Sequence, residues 1–292
     1  MKSASIAIQT EEGLKSIAYT EWGAANVGIP VFCVHGLTRN SRDFDALANA
    51  LSNGSKNERR RIICIDVIGR GESESFNDKS LYGYTAYIQL CLTFLDALNI
   101  DQVDWVGTSM GGLIGMMIAA QESMKAQKDK RIRSLILNDV GSYIPKAALQ
   151  RIGDYVGSDP EFALLENAEQ YLRLIMQSFG VLSDDQWQHL TEHSFYQDSN
   201  GKFRFKYDPD IALAFQGELD DVDLTPIWNL IDIPVLLIRG KESDLLLSDT
   251  ANEMADRESC QLVEFEDVGH APMLMVEQQI DVVRGFLTRT QK

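Results

Sequence analysis

The stretch Val103-Asp104-Trp105-Val106-Gly107-Thr108-Ser109-Met110-Gly111-Gly112 runs from β-forming residues into a G-x-S-x-G turn, and the small, apolar run Leu113 to Ala120 follows it. Glycines on both sides of the serine remove Cβ atoms where a sharp strand-to-helix turn is most crowded. Such a turn exposes Ser109 at its tip, with the first free N–H groups of the next helix directed toward it. A lone G-x-S-x-G is often an ordinary turn. The flanking strand and helix are what make Ser109 a candidate nucleophile.

The rest of the chain is consistent with an enzyme of ordinary globular composition. Its 292 residues suffice for one substantial core with an insertion. With 27 Lys and Arg against 43 Asp and Glu, the formal charge is -16, which argues against nucleic acid as a partner because phosphate recognition uses a positive surface. No apolar run reaches the roughly 18 residues of a membrane span. The opening Met1 to Ile8 lacks a signal peptide's apolar stretch and cleavage site, so a cytoplasmic location is expected. Cys33, Cys64, Cys91 and Cys260 lack metal-site spacing and read as reduced thiols, and no metal is expected.

Short apolar runs mark the strands of a parallel sheet, with helical patterns between them. Ile6 to Ile8 and Lys15 to Tyr19 read as opening strands around a Glu12-Gly13 turn. Val31 to Val34, Arg61 to Asp66, Val103 to Val106, Arg133 to Asp139, Pro234 to Ile238 and Leu262 to Phe265 read as core strands. Tyr84 to Leu98 is expected to be a helix with Tyr84, Ile88, Cys91, Leu95 and Leu98 on one face. Met273, Val276, Ile280, Val283 and Leu287 mark the apolar face of a C-terminal helix. A break is expected at Asn53-Gly54-Ser55. Val67 to Ser73 is turn-rich but lacks a dinucleotide fingerprint, and Asp66 and Arg70 are expected to make structural loop contacts.

Between Asp139 and Pro234 lies far more chain than a crossover needs. Helical patterns around Ala147 to Val156, Ala168 to Phe179, Asp184 to Phe195 and Pro209 to Phe215 predict a helical cap. The expected organisation is a first core part over 1–141, the cap over 142–224 and a second core part over 225–292. Tyr171, Phe179 and Trp187 are candidates for a cap pocket, although helical packing accounts for each without a ligand. The acidic run Glu218 to Asp223 reads as a solvated connection.

Three further loops complete a reaction centre. His35-Gly36-Leu37 follows the strand at Val31. His35 is expected to organise this loop through its two ring nitrogens, and Gly36 to let the Leu37 N–H approach a developing oxyanion, with the Met110 N–H as the second donor. Asp244 and His270 each follow a later core strand, and Ser109, Asp244 and His270 stand in nucleophile, acid, histidine order. Asp139, which also follows a strand, is the alternative acid. The late loop favours Asp244.

On His35-Gly36, Asp66 to Ser73, Gly107 to Gly112, Gly240 to Asp244 and Gly269-His270, the chain from about Ser16 to Phe286 resembles the α/β-hydrolase family, in its capped serine esterase or lactonase-like branch. The resemblance implies a mostly parallel sheet flanked by helices, with an inserted helical cap. It implies Ser109 as nucleophile, His270 as base and then acid, Asp244 as the group orienting His270, and Leu37 and Met110 as backbone oxyanion donors. It also implies hydrolysis of a small or medium ester, lactone or thioester by water, with no cofactor.

The same family includes carbon–carbon bond hydrolases, cofactor-free haloperoxidases and hydroxynitrile lyases. Ala271-Pro272 after His270 departs from the tryptophan often found in hydrolases of ring-cleavage products, and Ser109 departs from the aspartate of haloalkane dehalogenases and epoxide hydrolases. Hydrolysis of a carbon–carbon bond in a vinylogous diketone stays as the runner-up, and a noncatalytic small-molecule receptor is the binding-module alternative. The pattern is silent on oligomeric state.

Overall fold

A computed structural model describes residues 1–25, 28–54 and 59–290; Ser55 of the expected break lies outside them. Eight strands form the central sheet: β1 (Lys2–Thr10), β2 (Gly13–Trp22), β3 (Val31–Val34), β4 (Ile62–Ile65), β5 (Val103–Thr108), β6 (Ile132–Asn138), β7 (Val235–Gly240) and β8 (Cys260–Phe265). Their order is β1-β2-β4-β3-β5-β6-β7-β8. β1 and β2 form an antiparallel hairpin, β2 pairs antiparallel with β4, and every later pairing is parallel. Parallel pairing puts the carboxyl ends of β3, β5, β6, β7 and β8 along one edge, where loops from distant sequence converge.

The central strands β3 and β4 are apolar at every position, and β5, β6 and β7 at most of theirs, because both faces are covered. Phe32, Val34, Ile63, Ile65, Trp105 and Leu237 face one layer, whereas Val31, Cys33, Ile62, Cys64, Val106 and Ile238 face the other. The second layer holds α1 (Asp45–Ser52) and the C-terminal helix, with Phe44, Leu47, Val283 and Phe286 packed inward. The first layer is built by α2 (Tyr84–Ala97) and α3 (Met110–Gln121). α3 is buried on nearly all sides, as its unbroken apolar sequence requires.

The buried face of α2 is rotated from the expected one. Tyr87, Leu90, Cys91, Phe94 and Leu95 are buried, whereas Tyr84 is exposed. The aromatic partners set this rotation, since Phe94 packs on both Tyr19 and Phe32. All four cysteines are buried free thiols.

Between β6 and β7 lie α4 (Lys146–Tyr155), α5 (Leu165–Ile175), α6 (Asp184–Ser194) and the short α7 (Thr225–Trp228). Gln177–Phe179 and Pro209–Phe215 are 3-10 turns rather than α-helix. Two features of this segment go beyond the helical pattern. Phe195–Gln197 pairs with Phe203–Phe205 as a hairpin, for which Asn200-Gly201 is the sequence signature, and Tyr143–Ile144 pairs with Val222–Asp223. The segment has a hydrophobic cluster of its own, made by Ala168, Leu172, Met176, Trp187, Leu190, Phe195 and Phe205.

Met273 joins that cluster instead of the C-terminal helix, because the helix begins only at Glu277. The last two helices are α8 (Ser248–Ala255) and α9 (Glu277–Arg289). No helix among the described residues is long and apolar enough to cross a membrane.

Candidate active site

The turn between β5 and α3 holds Ser109 at φ 50° and ψ -114°, a conformation that costs a non-glycine residue energy and persists only where its surroundings enforce it. They do so sterically. A Cβ on Gly107 would strike the backbone of Gly111 and Gly112, and one on Gly111 would strike the Val34 carbonyl of β3. The Trp105 indole N–H donates to the Gly111 carbonyl at 2.9 Å, which ties the strand to the first turn of α3. The carbonyl of Ser109 accepts from Gly112 and Leu113, so the helix begins immediately after the serine.

His270 reaches this turn from the loop after β8. Its Nε2 lies 3.0 Å from Ser109 Oγ, and its Nδ1 lies 2.7 Å from Asp139 Oδ2. Asp139, at the end of β6, is fully buried and held in position: its Oδ1 accepts from the Gly240 N–H at 2.9 Å and its Oδ2 also accepts from Ser243 Oγ. Asn138 donates to both Thr108 Oγ1 and the Pro272 carbonyl, bracing the serine turn against the histidine loop.

This geometry corrects the sequence expectation for the acid. Asp244 does not approach His270; its carboxylate forms a two-pronged ion pair with Arg151 of α4. β6 and β7 are parallel neighbours, so both aspartates leave the same edge of the sheet. The loop after β7 turns Ser243 inward onto Asp139 and leaves Asp244 half-exposed.

The loop after β3 forms the opposite wall. His35 is fully buried; its Nε2 accepts from the Val67 N–H at 2.9 Å, and its Nδ1–H donates to the Gly36 carbonyl at 2.7 Å. Burial, chiefly, lowers its pKa to about 3, so the ring is neutral and serves as a fixed bracket. Gly36 packs close to Ser109.

Arg70 is fully buried and donates to the Leu37 carbonyl, which orients that peptide, while Asp66 accepts from the Ser41 and Glu72 N–H groups. The Leu37 and Met110 N–H groups have no hydrogen-bond partner among the described residues. Two unpartnered backbone donors beside a serine suit a developing oxyanion.

Leu37, Ser109 and His270 line a cavity of about 60 Å³ together with Arg39, Arg151, Ile152, Tyr155, Ile175, Met176, Phe179 and Met273. Of the three aromatic candidates, only Phe179 lines it. Tyr171 packs on Phe162 and Phe205, and Trp187 is buried against the Arg173 guanidinium, because their helical positions face the segment's own cluster. Arg39, Arg151 and Tyr155 are wall residues the sequence pattern did not single out. A wider groove of about 670 Å³ lies beside β1 and β2, but it includes neither Ser109 nor His270.

The inserted segment grips the histidine loop, with Ser178 Oγ donating to the His270 carbonyl and the Gly269 N–H donating to the Ser178 carbonyl. Asp45, His189 and His193 form a cluster of metal-ligand types outside the cavity; the Arg42 guanidinium pairs with Asp45 Oδ2, while Asp45 Oδ1 is buried without a hydrogen-bond partner among the described residues.

Comparison with known proteins places this geometry in context. The chain is 39% identical over 287 residues to 3-hydroxybutyrate-oligomer hydrolase of Cupriavidus necator, covering 94% of each chain. It is 28% identical over 160 residues to 2-hydroxymuconate semialdehyde hydrolase of Pseudomonas putida, covering 54% of this chain and 51% of that one. A crystal structure of a Rickettsia typhi protein superposes with a TM-score of 0.88 at 34% identity, covering 99% of this chain and 98% of that one. The model of the alpha/beta hydrolase family matches residues 31–284. By that match and by its sheet order, the chain belongs to the alpha/beta hydrolase family.

Proposed function

We propose that the protein is a serine ester hydrolase that cleaves short esters of hydroxy acids, of which a 3-hydroxybutyrate oligomer is the model substrate. The observation that carries the chemistry is the unbroken relay Ser109 Oγ, His270 Nε2, His270 Nδ1, Asp139 Oδ2. The similarity to 3-hydroxybutyrate-oligomer hydrolase over nearly the whole of both chains supports the substrate class. In this reading the segment over 142–224 acts as a cap that shapes the acyl or alcohol site.

In the reaction, His270 Nε2 takes the Ser109 proton as Oγ bonds to the ester carbonyl carbon, and the Leu37 and Met110 N–H groups stabilise the oxyanion. Collapse of the tetrahedral species breaks the carbon–oxygen bond to the alcohol, which leaves with the proton from His270. Water then attacks the acyl-serine, giving one proton to His270. The acid departs and the proton returns to Ser109. Asp139 fixes the ring tautomer and supports its transient positive charge without taking its proton.

The test is a fluorophosphonate probe with peptide mapping, run beside turnover of 3-hydroxybutyrate dimer, simple esters, lactones, thioesters and vinylogous diketones. Labelling of Ser109 and release of 3-hydroxybutyrate are expected. Folded protein that stays unlabelled where a comparable serine hydrolase reacts would remove the serine mechanism. Cleavage of diketones with no ester, lactone or thioester turnover would make the protein a carbon–carbon bond hydrolase.

A further inference from the structure

Two guanidinium groups line the cavity around Ser109, and their situations differ. Arg39 is almost fully buried and committed: Nε and Nη2 donate to Asp43, and Nη1 donates to Ser194 Oγ at 2.7 Å. Arg151 reaches the cavity from α4 and turns its Nε and Nη2 onto the two oxygens of Asp244, the Nη2 contact being 2.8 Å. Tyr155, one turn further along α4, lines the same cavity. The side chains of Arg151 and Asp244 keep 42% and 49% of their exposure, so water screens this pair and little is lost when it opens.

We propose that Arg151 is the carboxylate-binding residue of the site, and that Asp244 occupies in the unliganded protein the place of a substrate's terminal carboxylate. This rests on the ester-hydrolase reading above and names a narrower substrate class: hydroxy-acid esters that end in a free carboxylate. Three features support it.

The planar fork of arginine matches a carboxylate with two parallel hydrogen bonds, and Asp244 demonstrates that fit. Ser109 and Arg151 line the same cavity, and in a hydroxybutyrate dimer only a methylene, a methine and the ester oxygen separate the free carboxyl carbon from the scissile carbonyl. Seating a substrate carboxylate on Arg151 displaces Asp244 and so enlarges the cavity on that side. The Arg151–Asp244 pair is the bond between α4 and the loop after β7 that this enlargement would open. Exchanging one carboxylate for another keeps the guanidinium paired throughout.

The experiment compares 3-hydroxybutyrate dimer as the free acid with the same dimer whose carboxyl group is a primary amide, following cleavage of the internal ester. The wild type is expected to prefer the acid in kcat/KM by about tenfold or more, the scale of a charge-assisted hydrogen bond. Arg151→Gln should erase the preference mainly through KM for the acid. Arg151→Lys, which keeps the charge without the fork, should retain part of it. Asp244→Asn, which leaves Arg151 in place and removes its competitor, should preserve or raise the preference, and it serves if the arginine variants do not fold.

Equal kcat/KM for acid and amide in the wild type, a preference that survives in Arg151→Gln, or one that falls in Asp244→Asn would each overturn the carboxylate assignment while leaving ester hydrolysis intact. No turnover of any ester by the wild type would overturn the ester-hydrolase reading and this proposal with it.

Discussion

Asp139 and His270 stand 131 residues apart in sequence, and their side chains meet at 2.7 Å at the carboxyl edge of the sheet. The aspartate is inaccessible to water and also accepts from Gly240 and Ser243. A carboxylate so held can orient an imidazole through a full turnover. Asp244, the other aspartate at that edge, points outward to Arg151.

The first consequence is a ranking. Asp139→Asn should lower kcat on a simple ester by about 10³ to 10⁴ fold, and should do so far more than Asp244→Asn. Both changes are nearly isosteric, so circular dichroism of each variant separates lost chemistry from lost fold. Equal defects, or a larger one at Asp244, would return the acid to the loop after β7.

Ser109→Ala should remove nearly all steady-state ester turnover with the fold retained, since the hydroxyl sits on the cavity wall and fills no core space. Turnover on short and long acyl esters measures this. Near wild-type rates would exclude Ser109 as nucleophile.

Gly111→Ala tests the elbow itself. The added methyl meets the Val34 carbonyl, which is backbone in a central strand and has no room to move. A loss of about 1–3 kcal/mol, or failure to accumulate folded protein, is expected from overpacking of this kind. A variant with unchanged melting temperature would mean the turn is laxer than its geometry implies.

Two aromatic residues of the inserted segment should behave oppositely. Trp187→Ala empties a buried position and should cost about 3–5 kcal/mol of that segment's stability. Phe179→Ala widens the cavity and should shift acyl-chain preference toward longer esters with a smaller loss of stability. Thermal melts and a chain-length series on both variants would show whether the roles are reversed.

Stability should fall on acidification before the carboxylates titrate. His35 and His193 have folded pKa values of about 3, both lowered chiefly by burial, and for His193 also by Arg42, His189, Lys206 and Arg39. Between 3 and the ordinary 6.5 the unfolded chain binds protons that the folded chain does not, so stability is full above about pH 6.5 and declines toward pH 3. Glu12, lowered to about 2 chiefly by the Asp78 N–H, adds a loss only below about pH 4.5. Melting temperatures from pH 7 to 5 follow the histidines, with the buried Asp66 carboxyl, which burial raises above the ordinary carboxylate range, acting in the opposite sense. His193→Gln should flatten that slope; an unchanged slope would exclude His193 as a contributor.

What the sequence by itself determined is local. Gly107 and Gly111 around Ser109 specify one sharp turn, because no Cβ fits there, and the short apolar strands specify a sheet covered on both faces. His35, Asp66 and Arg70 were legible as loop contacts because each lies at a strand exit with a side chain suited to backbone partners. Only the tertiary structure decided between Asp139 and Asp244. Each follows a core strand, and the two strands are adjacent and parallel, so no local pattern tells them apart. The choice depends on where the loop after β8 delivers His270 and on which carboxylate Arg151 of the inserted segment takes up. Tyr171, Phe179 and Trp187 pose the same problem, since helical spacing marks all three as apolar and does not say which neighbour each will face. Packing against Phe162, Phe205 and Arg173 turns Tyr171 and Trp187 away from the cavity, and Phe179 alone of the three lines it.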